Sequence, residues 1–453
     1  MHDTKSSSRR RFLKSSAVTA AAVAGAPAIV ARGANERIRV GFIGVGNRGS
    51  QLLHAFMQHR DVEVAAFADV YEPYLTRDRS KVCERWIEEL GGRIPAMGEN
   101  IGNKVDTYTD FRRLIDRKDI DAVCIATPDH WHAIQTIMAM ESGKDVYVEK
   151  PLTIALREGR AMVDAAKRTN RVVQVGIHRR GSKVYRDIVP FIQNGGIGQI
   201  SMARAYRISN MYPDGIGKMR PEDPPPGFDW DMWLGPREYR PYQYNITPYK
   251  FRWWKSYSTQ MGNWGVHYMD GIRWFMDETA PLAITTHGGQ YVLDDDRTIP
   301  DTMEVTFEMP SGAVVIFGVY EACGGPMIDG DLELRGTKGN FVINERGYTL
   351  TPSGPGQFQE WQSLTDEKSS RLETREDVTV SHVRNFLDCI KSREKPWCDI
   401  ETGHRSTSFA HLANIALETG IRIEWDAERE VITNSKEAND LLGYEYRKPW
   451  TLG

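Results

Sequence analysis

No two of the five cysteines (Cys83, Cys124, Cys323, Cys389 and Cys398) stand in a C-x-x-C spacing. That spacing would be needed for a zinc ribbon, and the odd, scattered set gives no disulfide framework. Cys124, inside an apolar run, reads as core. Charge of one sign is also lacking. Lys and Arg number 58 against 61 Asp and Glu, for a formal net charge of −3. No electrostatic footprint for nucleic acid or an anionic membrane follows from that balance. After residue 34 no apolar run is long enough to span a bilayer, and no repeat of constant period is visible. What remains is 40% hydrophobic and 26% charged over 453 residues, enough material for two globular domains.

Residues 1–34 differ from the rest. A basic start is followed by an Ala/Val-rich stretch too weakly apolar for a stable membrane span. Ser8-Arg9-Arg10-Arg11-Phe12-Leu13-Lys14 resembles a twin-arginine export signal at every position. Ala26-Pro27-Ala28 offers small residues for cleavage, and the expected location of the mature chain is the periplasm.

From residue 35 to about 177 apolar runs alternate with helical patterns. "RVGFIGVG", "VEVAAFADV", "DAVCIATP", "DVYVEKP" and "VVQVGI" read as strands of a parallel sheet covered on both faces. A polar helix is expected over Tyr74–Leu90, and a short one after Thr109 or Asp110. Further helices are expected over 130–142, capped by Gly143, and over Ala155–Lys167. From 178 to 453 the pattern becomes α+β, with alternating runs that predict a large, mainly antiparallel sheet and two late helices. An exposed face on that sheet predicts a homodimer or tetramer. Residues 211–256 are rich in Trp, Tyr and Pro and carry little periodicity. Such length without structure points to function, and the aromatic density argues against disorder. Residues 355–378 read as a polar surface excursion.

Gly44-Val45-Gly46-Asn47-Arg48-Gly49 is G-x-G-x-x-G after a strand and before a helix, and Asp69 ends the next strand. In that setting Gly44 permits the tight turn, Gly46 the approach of a pyrophosphate, and Gly49 helix–strand packing. Asp69 accepts from ribose hydroxyls and repels a 2′-phosphate, so NAD is expected over NADP. Ligands in such sheets lie beyond the carboxyl ends of the strands. Thr127, Pro128, Glu149 and Lys150 all fall there. His130 reads as a helix-start residue, and His132 reads equally as that or as a cofactor neighbour. Being two apart, the pair does not share a helix face, so no metal is expected. Trp253, Trp254 and Trp264 suit stacking on a sugar or an interdomain core equally well. One of Arg179 and Arg180 contacts substrate, or the pair forms a salt bridge between domains.

Gly44–Gly49, "TPDHWH", "SGKDVYVEKPLT" and "GNWGVHYMD" together resemble the Gfo/Idh/MocA oxidoreductases, from about residue 37 to the C-terminus. "DWDMWLGP" and "NFLDCIKSREKPWCDIETGHRS" are similar to a secreted branch of that family. The resemblance implies a catalytic Lys150, Glu149 at the nicotinamide ribose, and a cis bond to Pro151. It also implies a catalytic His267, preceded by a carboxylate four residues earlier. Here that position is Asn263, which cannot accept a proton as a carboxylate does, so His267 and Lys150 are left with the acid/base work. The implied activity is hydride transfer from a secondary hydroxyl of a sugar to tightly bound NAD. Two alternatives stand beside it: redox-neutral, NAD-assisted glycoside cleavage, and a non-catalytic exported sugar binder.

Overall fold

The computed structural model of the chain describes residues 37–373 and 376–452. The expected export signal therefore lies outside the described residues. Ile38–Gly453 is one compact unit holding two sheets.

The first sheet contains β1 (Ile38–Ile43), β2 (Val62–Ala68), β3 (Asp106–Tyr108), β4 (Ala122–Ile125), β5 (Asp145–Val148) and β6 (Val173–Val175). All are parallel, in the order β3-β2-β1-β4-β5-β6. β4 and β5 are buried at every position, as strands must be when helices cover both faces of a sheet. The order reverses between β1 and β4. That switch point opens a crevice beyond the strand ends.

Helix Tyr74–Leu90 does not form as one element. It breaks into Glu72–Thr76, a 3₁₀ turn at Arg79–Lys81, and Glu84–Leu90. Arg77 takes a left-handed conformation at φ +54° and ends the first piece, and the Asp78 carboxylate caps the second by accepting from Ser80 N. Local side-chain capping overrides the helical pattern. Asp110, not Thr109, caps the short helix Phe111–Ile115. The next two helices run over His132–Glu141 and Leu156–Thr169.

The second sheet has ten strands: β7 (Ile200–Ile208), β8 (Ala283–Gly289), β9 (Thr302–Glu308), β10 (Val314–Tyr320), β11 (Leu332–Gly336), β12 (Gly339–Asn344), β13 (Gly347–Pro352), β14 (Lys368–Arg371), β15 (Ile423–Asp426) and β16 (Val431–Ile432). Every pairing is antiparallel except β7 with β10. Burial alternates strictly along β9 and β12, so one face meets the core.

Helix Ile400–Thr419 lies against both sheets. Its Gly403 sits so close to β6 that an added Cβ would stand 2.4 Å from Val175 Cγ2. Its other end packs on β8. Helix Val378–Ser392 returns to the first sheet, where Phe386 meets Phe56 and Tyr147 edge to face, with centroids 6.3 and 5.8 Å apart. Segment 211–256 forms its own aromatic core around Trp230, Trp233, Tyr242 and Phe251, with two short helices inside it (Trp230–Leu234 and Lys250–Trp253). It is sewn to the first sheet's loops: Asp229 N donates to Val70 O at 2.8 Å, Glu72 N to Gly227 O at 2.9 Å, and Tyr71 bridges Phe228. No helix among the described residues is long and apolar enough to cross a membrane.

Candidate active site

The crevice at the switch point is floored by the glycine turn. Gly44 adopts φ +84°, and a Cβ there would stand 2.9 Å from the Ala126 carbonyl carbon. Only glycine fits that turn. A Cβ on Gly49 would stand 2.0 Å from Gly44 O, so this glycine lets the helix Asn47–Met57 close onto the strand. The first helical bond runs from Ser50 N to Gly46 O at 2.9 Å. N–H groups before it have no intrahelical acceptor and face the crevice with the positive end of the helix dipole.

Asp69 closes one side. Its Oδ2 accepts from Val45 N at 2.8 Å and its Oδ1 from Tyr71 N at 3.0 Å. Burial pushes the carboxyl up to about 6, against those two N–H groups, which favour the charged form. Thr127 and Pro128 form the opposite lip, with Thr127 Oγ1 donating to Gln135 Oε1 at 2.8 Å. Asn47 donates to Arg93 O at 2.7 Å. Arg48 Nε donates to Glu149 Oε1 at 2.8 Å, while its Nη2 is buried with no hydrogen-bond partner among the described residues. A dinucleotide fits here on two counts: the glycine cradle, which side chains would fill, and the orphaned guanidinium nitrogen. Phe228, Trp233, Tyr249 and Arg252 of the aromatic segment supply the far wall.

A second pocket, of about 550 Å³, adjoins the first and suits a small molecule. Arg48, Lys150, Asn263 and Trp264 line both. Lys150 Nζ donates to Asn263 O at 2.8 Å and to Asn263 Oδ1 at 3.0 Å. Burial pushes this amine down to about 8; Glu149 opposes the shift and Arg252 adds to it. His267, on helix Val266–Met276, lines the second pocket, and its Nδ1 has no hydrogen-bond partner among the described residues. Burial, then the charges of Lys150, His178, Arg179 and Arg48, hold it well below the ordinary histidine range. It is a neutral imidazole at pH 7. Arg179 forms part of the wall, 3.1 Å from Asp331 and 3.6 Å from Glu345.

Several expected residues stand elsewhere. His132 is wedged between two backbone carbonyls, Nδ1 2.8 Å from Pro151 O and Nε2 2.9 Å from Thr127 O, and lies behind the cofactor crevice. Pro151 also lies behind it, its ring 3.1 Å from where a Cβ on Gly262 would be; the Lys150–Pro151 bond is cis. Arg180 faces away from the pocket and grips Asp270 with Nε and Nη2 at 2.9 and 3.0 Å. It forms a salt bridge, but one inside residues 178–453 and not between the two domains, since Asp270 stands on helix Val266–Met276. Trp254 is core, donating to Asn245 O at 2.8 Å, and Trp253 donates to Glu321 Oε2 at 2.7 Å outside both pockets. Of the three tryptophans only Trp264 lines a pocket, with Arg207 stacked 4.2 Å from its ring. His130 is a buried helix-start residue bonded to Trp233 O.

Sequence reasoning missed His178, whose ring centroid lies 5.0 Å from that of His267. The signal was available, since His178 follows β6 at the ligand edge. Asp331, Glu345 and Arg346 were also missed. They stand at hairpin ends of the second sheet, where only topology brings them to the pocket.

Arg180→Met is expected to cost about 3 kcal/mol in stability, because it leaves Asp270 buried without its bidentate partner. Chemical denaturation checks this. A substrate contact would instead raise KM at unchanged stability. Asp69→Ser is expected to narrow the preference for NAD over NADP by roughly tenfold, the scale of one removed charge repulsion. Titration with both dinucleotides measures it. In the parent protein the discrimination should also weaken as pH falls through about 6, where Asp69 takes up a proton.

A parallel sheet with a glycine turn, a crevice for a dinucleotide and an amine at the junction with a second pocket defines an NAD-binding oxidoreductase. The profile of an oxidoreductase family's NAD-binding Rossmann fold matches residues 38–177, and that of its C-terminal alpha/beta domain matches residues 199–452. The chain belongs to the Gfo/Idh/MocA oxidoreductase family. Among curated relatives, a "Glycosyl hydrolase family 109 protein 1" from Shewanella sp. (strain ANA-3) is 36% identical over 136 residues, 30% of this chain and 27% of that one. An "Alpha-N-acetylgalactosaminidase" from Shewanella oneidensis is 35% identical over 136 residues, with the same shares. The chain thus matches about a quarter of the length of these relatives, 27% in each case. The structure of a levoglucosan dehydrogenase in complex with NADH and levoglucosan superposes with a TM-score of 0.61 at 18% identity, covering 86% of this chain and 99% of that one. At that identity the likeness is one of fold.

Proposed function

We propose that the chain oxidises a secondary hydroxyl of a sugar or sugar derivative, delivering hydride to a tightly held NAD. The observation that carries this reading is the position of Lys150, pinned by Asn263 on the wall shared by the two pockets. Bound nicotinamide supplies the hydride acceptor. His267, neutral and lining the second pocket, takes the hydroxyl proton, while the Lys150 ammonium donates a hydrogen bond to the same oxygen. Trp264 offers a ring face to the sugar's C–H groups. Glu149 and Arg48 hold the ribose side of the cofactor, and Arg179 borders the substrate. Activity therefore requires Lys150 protonated and His267 neutral. We expect kcat/KM to be level near neutrality and to fall as pH rises through about 8, where Lys150 loses its proton. A pH–rate profile with an alkaline limb only above the ordinary lysine range would contradict it.

A second reading is redox-neutral glycoside cleavage, in which a ring hydroxyl is oxidised, the glycoside eliminated and the hydride returned. It is supported by the far wall of Phe228, Trp233 and Tyr249, which lines the cofactor crevice, and by relatives named as glycosidases. The division of labour we propose gives residues 35–177 the cradle of the cofactor, and 178–453 the far wall of that crevice, the substrate and a homodimeric or tetrameric contact. The Ser8–Lys14 motif supports export by the twin-arginine route to the periplasm after removal of residues 1–34.

A further inference from the structure

We infer that Gln260 and Glu321 are positioning residues for Lys150, setting the direction of a side-chain hydrogen-bond chain that keeps the Asn263 carbonyl oxygen, and not its amide nitrogen, against the amine. The inference rests on the acid/base role proposed for Lys150. Beyond the Lys150 contact, Asn263 Nδ2 donates to Gln260 Oε1 at 3.3 Å, and Gln260 Nε2 donates to Glu321 Oε1 at 2.8 Å. Glu321, just past the end of β10, is 1% exposed. Its Oε2 accepts from Trp253 Nε1 at 2.7 Å and from Arg297 Nη1 at 2.8 Å, and Arg297 is in turn held by Asp295 at 2.8 Å.

A carboxamide can turn over, exchanging its oxygen and nitrogen at little steric cost. A carboxylate cannot donate, whichever way it turns. Burial pushes the Glu321 carboxyl up, but both of its oxygens face donors, which favour the charged form. Gln260 must therefore present its NH₂ to Glu321 and its oxygen to Asn263. Asn263 must then present its NH₂ to Gln260 and its oxygen to Lys150. The reverse direction would set an amide NH₂ against an ammonium. With the chain as it stands, two of the three ammonium donors are occupied by Asn263 O and Oδ1, which leaves the third for a ligand in the pockets that Lys150 lines. The other charged and titratable groups facing the amine are Glu149, Arg252, Asp129, Arg48, His178 and His267.

Glu321→Gln tests the direction. Its amide oxygen must stay with Trp253 and Arg297, so its NH₂ turns to Gln260 and the whole chain inverts. The readout is the pH dependence of Lys150 acetylation in the purified protein, followed by peptide mass spectrometry without substrate. We expect the midpoint to fall by about one pH unit in Glu321→Gln, with roughly tenfold lower kcat and little change in KM. Adding Gln260→Glu to that variant supplies a carboxylate that accepts from both amides, and should return the midpoint and kcat to parental values. Gln260→Met, which cuts the chain and leaves Glu321 on Arg297 and Trp253, should lower the midpoint too. It carries the test if Glu321→Gln does not fold. Parental midpoints in Glu321→Gln and Gln260→Met, or a shift that the double variant does not reverse, would overturn the inference. A parental Lys150 titrating near the ordinary lysine value of about 10.4 would instead overturn the acid/base reading on which it rests.

Discussion

Lys150→Met is expected to lower turnover by about 10²- to 10⁴-fold, the range for loss of a positioned acid/base group, and to leave the melting temperature within about 2 °C. The separation of the two effects follows from where the amine stands. Its partners are Asn263 O and Oδ1 at the edge of two pockets, not a buried carboxylate that its loss would strand. Methionine keeps the length and apolar stem of lysine and removes a desolvated charge. Thermal unfolding and steady-state kinetics on the same preparation make the measurement. Full activity in this variant would remove the mechanism. A collapse of stability would make Lys150 a structural residue.

The second large effect concerns the cofactor. Its crevice has a wall built from residues of the other half of the chain, and that wall is fastened by the Asp229–Val70 and Glu72–Gly227 backbone bonds. Phe228 fills the seam, edge to face with Tyr71 at 5.8 Å and Trp86 at 5.9 Å. A dinucleotide in the crevice would be held behind this seam. Protein purified from cells is therefore expected to keep close to one nicotinamide per chain through exhaustive dialysis, and added NAD should change turnover by less than about twofold. Phe228→Ala, which removes the ring from the seam, should release cofactor and make the rate depend on added NAD. Such retention would suit the export proposed above, since outside the cytoplasm there is little free NAD to exchange with. Cofactor-free parent protein whose rate rises steeply with NAD would contradict this and restore an ordinary dissociable dehydrogenase.

Much of this was readable along the chain because the cofactor half is local. The glycine turn, Asp69, Thr127 and the Glu149–Lys150 pair each end a strand, and a parallel sheet places all its strand ends along one edge. β4 is a continuous apolar run, and β5 is one after Asp145. The Tyr74–Leu90 helix was misread because capping by Arg77 and Asp78 competes with a pattern that looks helical. β14 is exposed at every residue and β16 has only two, so neither carries a periodic signal. The substrate half is non-local. Asp331 and Glu345 reach Arg179 only through the order of the second sheet, and Trp253 and Trp254 look like ligand platforms until the aromatic core is seen around them. Asn263 looked like a defect in a relay. Its amide is instead the link between Lys150 and the buried Glu321.

The most direct measurement mixes the purified, nicotinamide-bearing protein with a panel of sugars and follows the absorbance band of reduced nicotinamide within one turnover. The account predicts that the band rises with the right sugar in the parent protein and does not rise in Lys150→Met. A persistent rise until a second substrate is added marks net oxidation. A rise that decays as product forms marks the redox-neutral cycle. Conversion of a sugar at full rate with no change in that band, or at an undiminished rate after the nicotinamide has been stripped, would contradict it.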